Sequence, residues 1–183
     1  LNLAGEVALI NKKVELCANI DLQPLYDAGT PYFTLPGLDK DSSFNGNNFT
    51  LSNFTFISTD PNIFSVALFR GGPENDPNFG LSAVAGINRG EIKNLIVDNI
   101  LIQAQSHLIG GISAIQQMNP VTNIRILSGT LENTRPSSPD GGMIGGILAV
   151  LDVSPLLLTA DNIIASDFIF EKNSTKIEIK YTN

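Results

Sequence analysis

Short runs of alternating apolar and polar residues, separated by turn residues, cover nearly the whole chain. The alternation has the two-residue period of a β-strand, and no stretch keeps the 3.6-residue period of an amphipathic helix. We predict strands at Val7 to Ile10, Val14 to Ile20, Tyr32 to Leu35, Phe49 to Ile57, Ser65 to Arg70, Ser82 to Ile87, Ile92 to Ala104, Leu108 to Ile115, Asn123 to Leu131, Met143 to Leu151, Asp161 to Phe170 and Thr175 to Tyr181. The pattern therefore predicts an all-β protein.

One local pattern, an asparagine followed by an apolar residue, recurs at Asn53, Asn94, Asn123 and Asn162. These asparagines lie 41, 29 and 39 residues apart (94 minus 53, 123 minus 94 and 162 minus 123). After each of the last three, apolar or small residues fall at +1, +3, +6 and +8. A motif that recurs at such intervals is typical of a stacked repeat array, or solenoid.

A small-residue cluster flanked by aliphatic residues precedes each of the last three asparagines. The clusters are Val84 to Ile87, Ile109 to Ile112 and Ile144 to Ile147. Because glycine in a strand usually marks the close approach of another backbone, we expect Ala85, Gly110 and Gly145 to share one column of the stack.

The four asparagines have two physical explanations. Amides stacked one strand spacing apart can bond to one another, so Asn53, Asn94, Asn123 and Asn162 are predicted to form a structural ladder of buried amides. Asparagine also tolerates the left-handed backbone conformation, so each one can simply occupy a turn. The sequence favours the ladder and leaves the turn open.

The length of 183 residues predicts a single domain, 1–183. We expect residues 1–40 to form an N-terminal cap, 41–171 to form the coils, and 172–183 to form a C-terminal cap strand, because the ends of a solenoid must be covered. Two Gly- and Pro-containing segments, Gly71 to Gly80 and Arg135 to Gly142, are predicted to protrude as loops.

Composition argues against several classes of function. The net charge of -7 and the pI near 4.5 argue against a nucleic-acid partner, which requires clustered basic residues. No apolar run is long enough to span a bilayer, so we expect no membrane insertion. His107 is the single histidine, and no metal-binding or cofactor-binding motif is recognisable, so we predict no metal and no cofactor. Cys17, the single cysteine, is predicted to be buried and inert.

A column of outward polar residues is the best candidate for chemistry. It lies nine residues after each asparagine and comprises Asn62, Gln103, Glu132 and Glu171. Two carboxylates one coil apart would suit a retaining glycosidase, which needs them about 5–5.5 Å apart. The same residues also suit an ordinary solvated strand end, which is the preferred interpretation, and no catalytic residue is assigned.

Several segments resemble right-handed parallel β-helix proteins with GLUG-type repeats. The likeness runs from Cys17-Ala18-Asn19-Ile20-Asp21-Leu22 through Phe44-Asn45-Gly46-Asn47-Asn48-Phe49-Thr50-Leu51-Ser52-Asn53-Phe54 and Val66-Ala67-Leu68-Phe69 to Gly90-Glu91-Ile92-Lys93-Asn94-Leu95. Such repeats occur in large bacterial surface or secreted proteins, including adhesin-like proteins and IgA-specific metallopeptidases. The resemblance implies a right-handed parallel β-helix and carries over no catalytic residue.

Together these observations lead us to expect a non-enzymatic structural or adhesive module of a secreted or cell-surface bacterial protein. Its partner would be a host or matrix protein or a glycan, and the chain would be a monomer or part of a larger polypeptide. The alternative is a carbohydrate-binding or carbohydrate-active β-helix, glycosidase-like or lyase-like, that uses an outward sheet face. Whether the chain has enzymatic activity stays open at this point.

Overall fold

A computed structural model describes residues 8–27, 34–71, 86–135, 143–146, 148–152, 163–165, 168–170 and 176–179. The fold is all-β, as predicted, with one five-residue helix, α1 (Gln23–Asp27). The strands in chain order are β1 (Ala8–Leu9), β2 (Lys13–Glu15), β3 (Ile20–Asp21), β4 (Gly37–Leu38), β5 (Ser43–Asn45), β6 (Thr50–Ser52), β7 (Thr55–Ser58), β8 (Ser65–Val66), β9 (Ile87–Asn88), β10 (Glu91–Asp98), β11 (Ile100–Ala104), β12 (Leu108–Gly110), β13 (Ser113–Gln117), β14 (Val121–Ile126), β15 (Gly129–Asn133), β16 (Met143–Gly145), β17 (Leu148–Asp152), β18 (Ile163–Ala165), β19 (Phe168–Phe170) and β20 (Lys176–Ile179).

The strands form four sheets and one additional pair. Sheet I has the order β18-β14-β10-β5-β2, with β6 beside β10 and β3 beside β6. Sheet II has the order β19-β20-β15-β11-β7, sheet III the order β16-β12-β8, and sheet IV the order β17-β13-β9. Strand β1 pairs with β4. Apart from β19 and β20, neighbouring strands in a sheet are therefore far apart in sequence.

The chain visits the sheets in a fixed order. It runs through sheets I, II, III and IV as β5 with β6, then β7, β8 and β9, and repeats that order as β10 to β13 and as β14 to β17. The strand pairs are parallel, except for the two that involve β20. Each run through the four sheets is here called a pass. Residues that meet between neighbouring passes are therefore distant in sequence: Asn123, for example, donates a hydrogen bond to Asn94, 29 residues earlier.

Matching registers stack like residues on like residues in the interior. In sheet I, Val97 lies opposite Leu51 on one side and Ile126 on the other, and these side chains are at most 1% exposed. In sheet II, Ile102 lies in the same way between Phe56 and Leu131. Such columns explain the two-residue alternation, because only one face of each strand meets the core.

The predicted long strands are each broken into two. The breaks lie at left-handed or glycine positions: Asn53 (φ 59°) separates β6 from β7, Asn99 (φ 54°) separates β10 from β11, and Gly129 (φ 151°) begins β15. A left-handed residue turns the chain sharply, so one apolar run supplies strands to two sheets.

The N-terminal region contributes to this body. Strands β2 and β3, from the range expected to be a cap, pair parallel with β5 and β6. Helix α1, which was not predicted, positions Tyr26, whose hydroxyl accepts a 2.8 Å hydrogen bond from the Thr55 backbone N–H at the start of β7. Burial raises the pKa of the Tyr26 phenol, and the Thr55 bond opposes that shift.

Three local predictions need correction. Cys17 is exposed, because the neighbouring Leu16 takes the inward position. Gly110 pairs with Gly145 as expected, but a Cβ on Gly110 would lie 2.0 Å from the Ser113 carbonyl oxygen of its own turn. Ile109 lies opposite Val66, so the Val66 to Phe69 segment, not Val84 to Ile87, precedes it in the stack.

Several predicted features lie outside the described residues. They are Ala85, Ile147, most of both predicted loops (72–80 and 136–142), and all of the expected C-terminal cap other than β20.

Candidate functional site: the polar cleft and asparagine ladders of sheet I

The outward face of sheet I carries two rows of polar side chains. Register places Lys13, Ser43 and Glu91 side by side in one row. The second row, two residues further along the strands, holds Glu15, Asn45 and Lys93. Because alternate residues of a strand share a face, both rows point away from the core.

These rows form the floor of a cleft of about 490 Å³, here called the polar cleft. Its lining residues are Lys13, Glu15, Lys40, Asp41, Ser42, Ser43, Asn45, Glu91, Lys93, Asn119 and Pro120. The Asn119 side chain holds the wall in place, since its amide nitrogen donates to the Lys40 carbonyl at 2.7 Å and to the Arg89 carbonyl at 2.8 Å.

The polar cleft is balanced in charge, with three lysines and three acids, in a chain whose net charge is -7. Lys93 pairs with Glu91 at 2.7 Å, and Lys40 pairs with Asp41. Lys13 and Glu15 form no ion pair within the part of the chain that the structure describes. Among the described residues, the cleft therefore offers a cation and an anion without an ionic partner beside hydroxyl and amide groups.

An asparagine ladder begins in the polar cleft and crosses the turn of sheet I. The Asn94 amide donates to Asn45 Oδ1 at 3.0 Å, and the Asn123 amide donates to Asn94 Oδ1 at 2.8 Å and to Asn48 Oδ1 at 3.2 Å. Asn48, Asn94 and Asn123 all have left-handed backbones, with φ of 61°, 53° and 51°. Both explanations for the asparagines, the ladder and the turn, thus apply to the same residues.

The ladder is less buried than expected, since Asn123 is exposed and Asn94 is half-buried. Asn162 lies outside the described residues.

Asn53 does not belong with Asn94, which corrects the predicted alignment. Its amide donates to Asp21 Oδ1 at 2.8 Å, and its Oδ1 accepts from the Asn99 amide at 2.7 Å. Register puts Ser52 opposite Asp98, so Asn53 aligns with Asn99 at the next corner of the chain. The Asn53 hydrogen bond, followed by one from the Gln23 backbone, lowers the pKa of Asp21 below its usual value.

A further amide pair, which was not predicted from the sequence, is fully buried. Asn88 and Gln116 lie opposite each other in sheet IV, and the Asn88 amide donates to Gln116 Oε1 at 2.8 Å. Asn88 Oδ1 accepts from the Leu38 N–H at 2.7 Å, and the Gln116 amide donates to the Gly90 and Asn119 carbonyls. The signal that would have identified it is the 28-residue spacing of two amide residues, each of which directly follows an isoleucine.

The predicted polar column is only partly assembled. Gln103 and Glu132 lie opposite each other, and the Gln103 amide donates to Glu132 at 2.8 Å. Ile57, not Asn62, takes the preceding position, and Asn62 bonds instead to Asp60. Asn62 fails to align because register with β11 ends at Ser58.

Glu171 lies outside the described residues, but the strand before it is displaced from Glu132. Antiparallel β20 lies between β15 and β19, with Lys176 opposite Glu132. Two strand spacings of about 4.8 Å therefore separate β19 from β15. The strand that precedes Glu171 is therefore not a direct neighbour of the strand that carries Glu132.

Within the described ranges, no group of three or more His, Cys, Asp or Glu side chains is arranged to hold a metal ion. Helical structure there also lacks the length and hydrophobicity needed to cross a bilayer. Comparison with known protein families, curated proteins and solved structures gives no match for this chain. The polar cleft and the asparagine ladder are therefore identified as the candidate site from their geometry alone.

Proposed function

We propose that this chain is a non-enzymatic structural or adhesive module of a secreted or cell-surface bacterial protein, folded as a right-handed parallel β-helix. The observation that carries the proposal is the fixed order in which the chain visits sheets I to IV, pass after pass, with parallel pairing between passes. A solenoid is the repeat architecture that produces this order, since each repeat contacts only its neighbours.

The residues behind the GLUG-type resemblance take structural positions that fit the proposal. Asn45 and Asn94 are ladder members, and Asn53 belongs to the second amide stack. Gly46 lies where a Cβ would come within 2.4 Å of the Asn94 carbonyl oxygen. These hydrogen bonds and this close approach fix each pass to the next. A rigid stalk or display surface requires such fixed contacts.

The architecture is tested by an experimental structure of the full chain. Right-handed crossovers between successive strands of sheet I support the proposal, and left-handed or mixed crossovers contradict it.

The adhesive role is tested with beads coated with the full chain and presented to immobilised matrix proteins and glycans. Retention of the beads without release of soluble products supports an adhesive module. Failure to bind any surface would contradict the adhesive role and leave the structural one.

The second candidate is carbohydrate binding or carbohydrate-active chemistry at the outward face of sheet I. It is favoured by the polar cleft, whose closely spaced donors and acceptors suit a hydroxyl-rich ligand. Replacing both Lys13 and Glu15 with alanine should abolish glycan retention, whereas Arg125→Ala, an exposed cation outside the cleft, should not. Release of reducing ends would favour an enzyme, and equal retention by both variants would exclude the cleft.

A further inference from the structure

The Asn45-Gly46 step in the polar cleft is the sequence most prone to asparagine deamidation. Glycine offers no side chain to hinder attack of its backbone nitrogen on the preceding carboxamide. Asn45-Gly46 is the single Asn-Gly pair in the chain. Within the amide ladder, this dipeptide is therefore the step most susceptible to deamidation.

Packing requires the glycine at this point. A Cβ on Gly46 would lie 2.4 Å from the Asn94 carbonyl oxygen and 2.7 Å from the Leu95 Cα. The neighbouring strand β10 passes so closely that no larger residue fits without moving backbone. Ladder geometry places an asparagine directly before it, because Asn45 Oδ1 accepts the Asn94 amide.

Both reacting groups are restrained in the folded chain. The Gly46 N–H, which would have to attack, donates to the Lys93 carbonyl at 2.8 Å, and Gly46 is buried. The Asn45 carboxamide, which would be attacked, accepts from the Asn94 amide and from the Asn47 N–H, each at 3.0 Å. Rotation of the carboxamide toward Gly46 would break both of those bonds.

We propose that Asn45-Gly46 is a latent deamidation site, held closed by the pairing of β5 with β10 and by the Asn94 amide. On opening, the Gly46 nitrogen bonds to Asn45 Cγ and ammonia leaves, which gives a cyclic imide. Water then opens the ring to aspartate or isoaspartate, so the net change is gain of water and loss of ammonia. The product adds a fourth acid to the polar cleft.

The test compares deamidation at Asn45 in the full chain, in a synthetic peptide of residues 40–52, and in two variants. Asn94→Asp keeps the acceptor used by Asn123 and tolerates the left-handed backbone, but it removes the donor to Asn45. Asn123→Asp is the matched control, since it removes the equivalent donor one pass later and leaves both contacts of Asn45. Peptide mass analysis after incubation in mildly alkaline buffer measures each rate.

We expect the folded chain to deamidate at Asn45 at least about tenfold more slowly than the peptide, the factor that one retained hydrogen bond provides. Asn94→Asp should accelerate the reaction at Asn45, and Asn123→Asp should match the unmodified chain. The new carboxylate in Asn94→Asp would disfavour the attacking amide anion, so acceleration cannot come from its charge.

Two results would overturn the proposal. One is a folded chain that deamidates as fast as the peptide, and the other is an Asn94→Asp variant no faster than the unmodified chain. Amide hydrogen exchange gives a check that needs no variant, because the Gly46 N–H should exchange slowly if it is held by Lys93. Rapid exchange at Gly46 would also contradict the mechanism.

Discussion

Replacement of Asn123 by glycine, alanine and aspartate separates the two contributions of a ladder asparagine. Its backbone is left-handed, with φ of 51°, and its amide donates to Asn94 Oδ1 at 2.8 Å. Glycine removes the amide but accepts the backbone conformation, whereas alanine removes the amide and resists that conformation. Aspartate keeps the conformation but replaces the donor with a carboxylate that faces the acceptor oxygens of Asn94 and Asn48.

The expected losses follow from these contacts. Because Asn123 is exposed, water can replace the lost donor, and the hydrogen bond contributes a net stabilisation of about 1 kcal/mol. A left-handed backbone costs alanine a further 1–2 kcal/mol or so. We therefore expect Asn123→Ala to lower the free energy of unfolding by about 2–3 kcal/mol, Asn123→Gly by about 1 kcal/mol, and Asn123→Asp by at least as much as Asn123→Gly.

Urea denaturation of the three variants measures these differences, with Arg125→Ala as an exposed control on the same strand, which should shift stability by less than about 0.5 kcal/mol. A double-mutant cycle of Asn123→Gly with Asn94→Gly isolates the energy of the amide contact. If the cycle gives no coupling, the ladder bond contributes nothing. If alanine and glycine are equally destabilising, the argument from the left-handed backbone is wrong.

Three further variants test other contacts. Gln116→Leu should lower the free energy of unfolding by about 3 kcal/mol in chemical denaturation, because the buried Asn88 amide loses its acceptor; a neutral effect would contradict that network. Gly46→Ala should lower the thermal midpoint, with a loss of about 1–3 kcal/mol from the clash with Asn94, and an unchanged midpoint would refute the close approach. Since burial raises the folded-state pKa of Tyr26 above its unfolded value of 10.0, its contribution is fully present below pH 10 and is lost as the pH rises through the folded pKa. The urea midpoint of the unmodified chain should therefore fall as the pH rises above 10, and Tyr26→Phe should abolish this fall. The same fall in the variant would mean that another group causes it.

The sequence predicted the region of strands β10 to β15 and the pairing of Asn94 with Asn123, because this part of the chain has no insertion, whereas β4 and β5 lie outside every predicted strand. Register puts Lys93 opposite Thr122 and Leu95 opposite Ile124, and the amides between them meet. Where every pass has the same number of residues, residues one repeat length apart in sequence are neighbours in space.

The alignment of Asn53 could not be predicted in this way. Lys93 lies opposite Asn45 and Ile96 opposite Thr50, so the earlier pass carries two additional residues at the corner. Asn53 and Asn94 also look alike locally, since each is left-handed and is followed by a fully buried apolar residue. Two corners with the same local conformation have the same sequence pattern, and only the strand register distinguishes them.

The position of β20 between β15 and β19 in sheet II has a consequence for the addition of strands from a second molecule. In sheet I, β18 sits one strand beyond β14, whereas in sheet II β19 sits two strands beyond β15. Among the described strands, the outer strands of the two sheets therefore differ in level by one strand spacing of about 4.8 Å, and β20 runs antiparallel to both of its neighbours. A second molecule that adds a parallel strand beside β18 would not meet the outer strand of sheet II at the same level, which disfavours extension of both sheets by one partner.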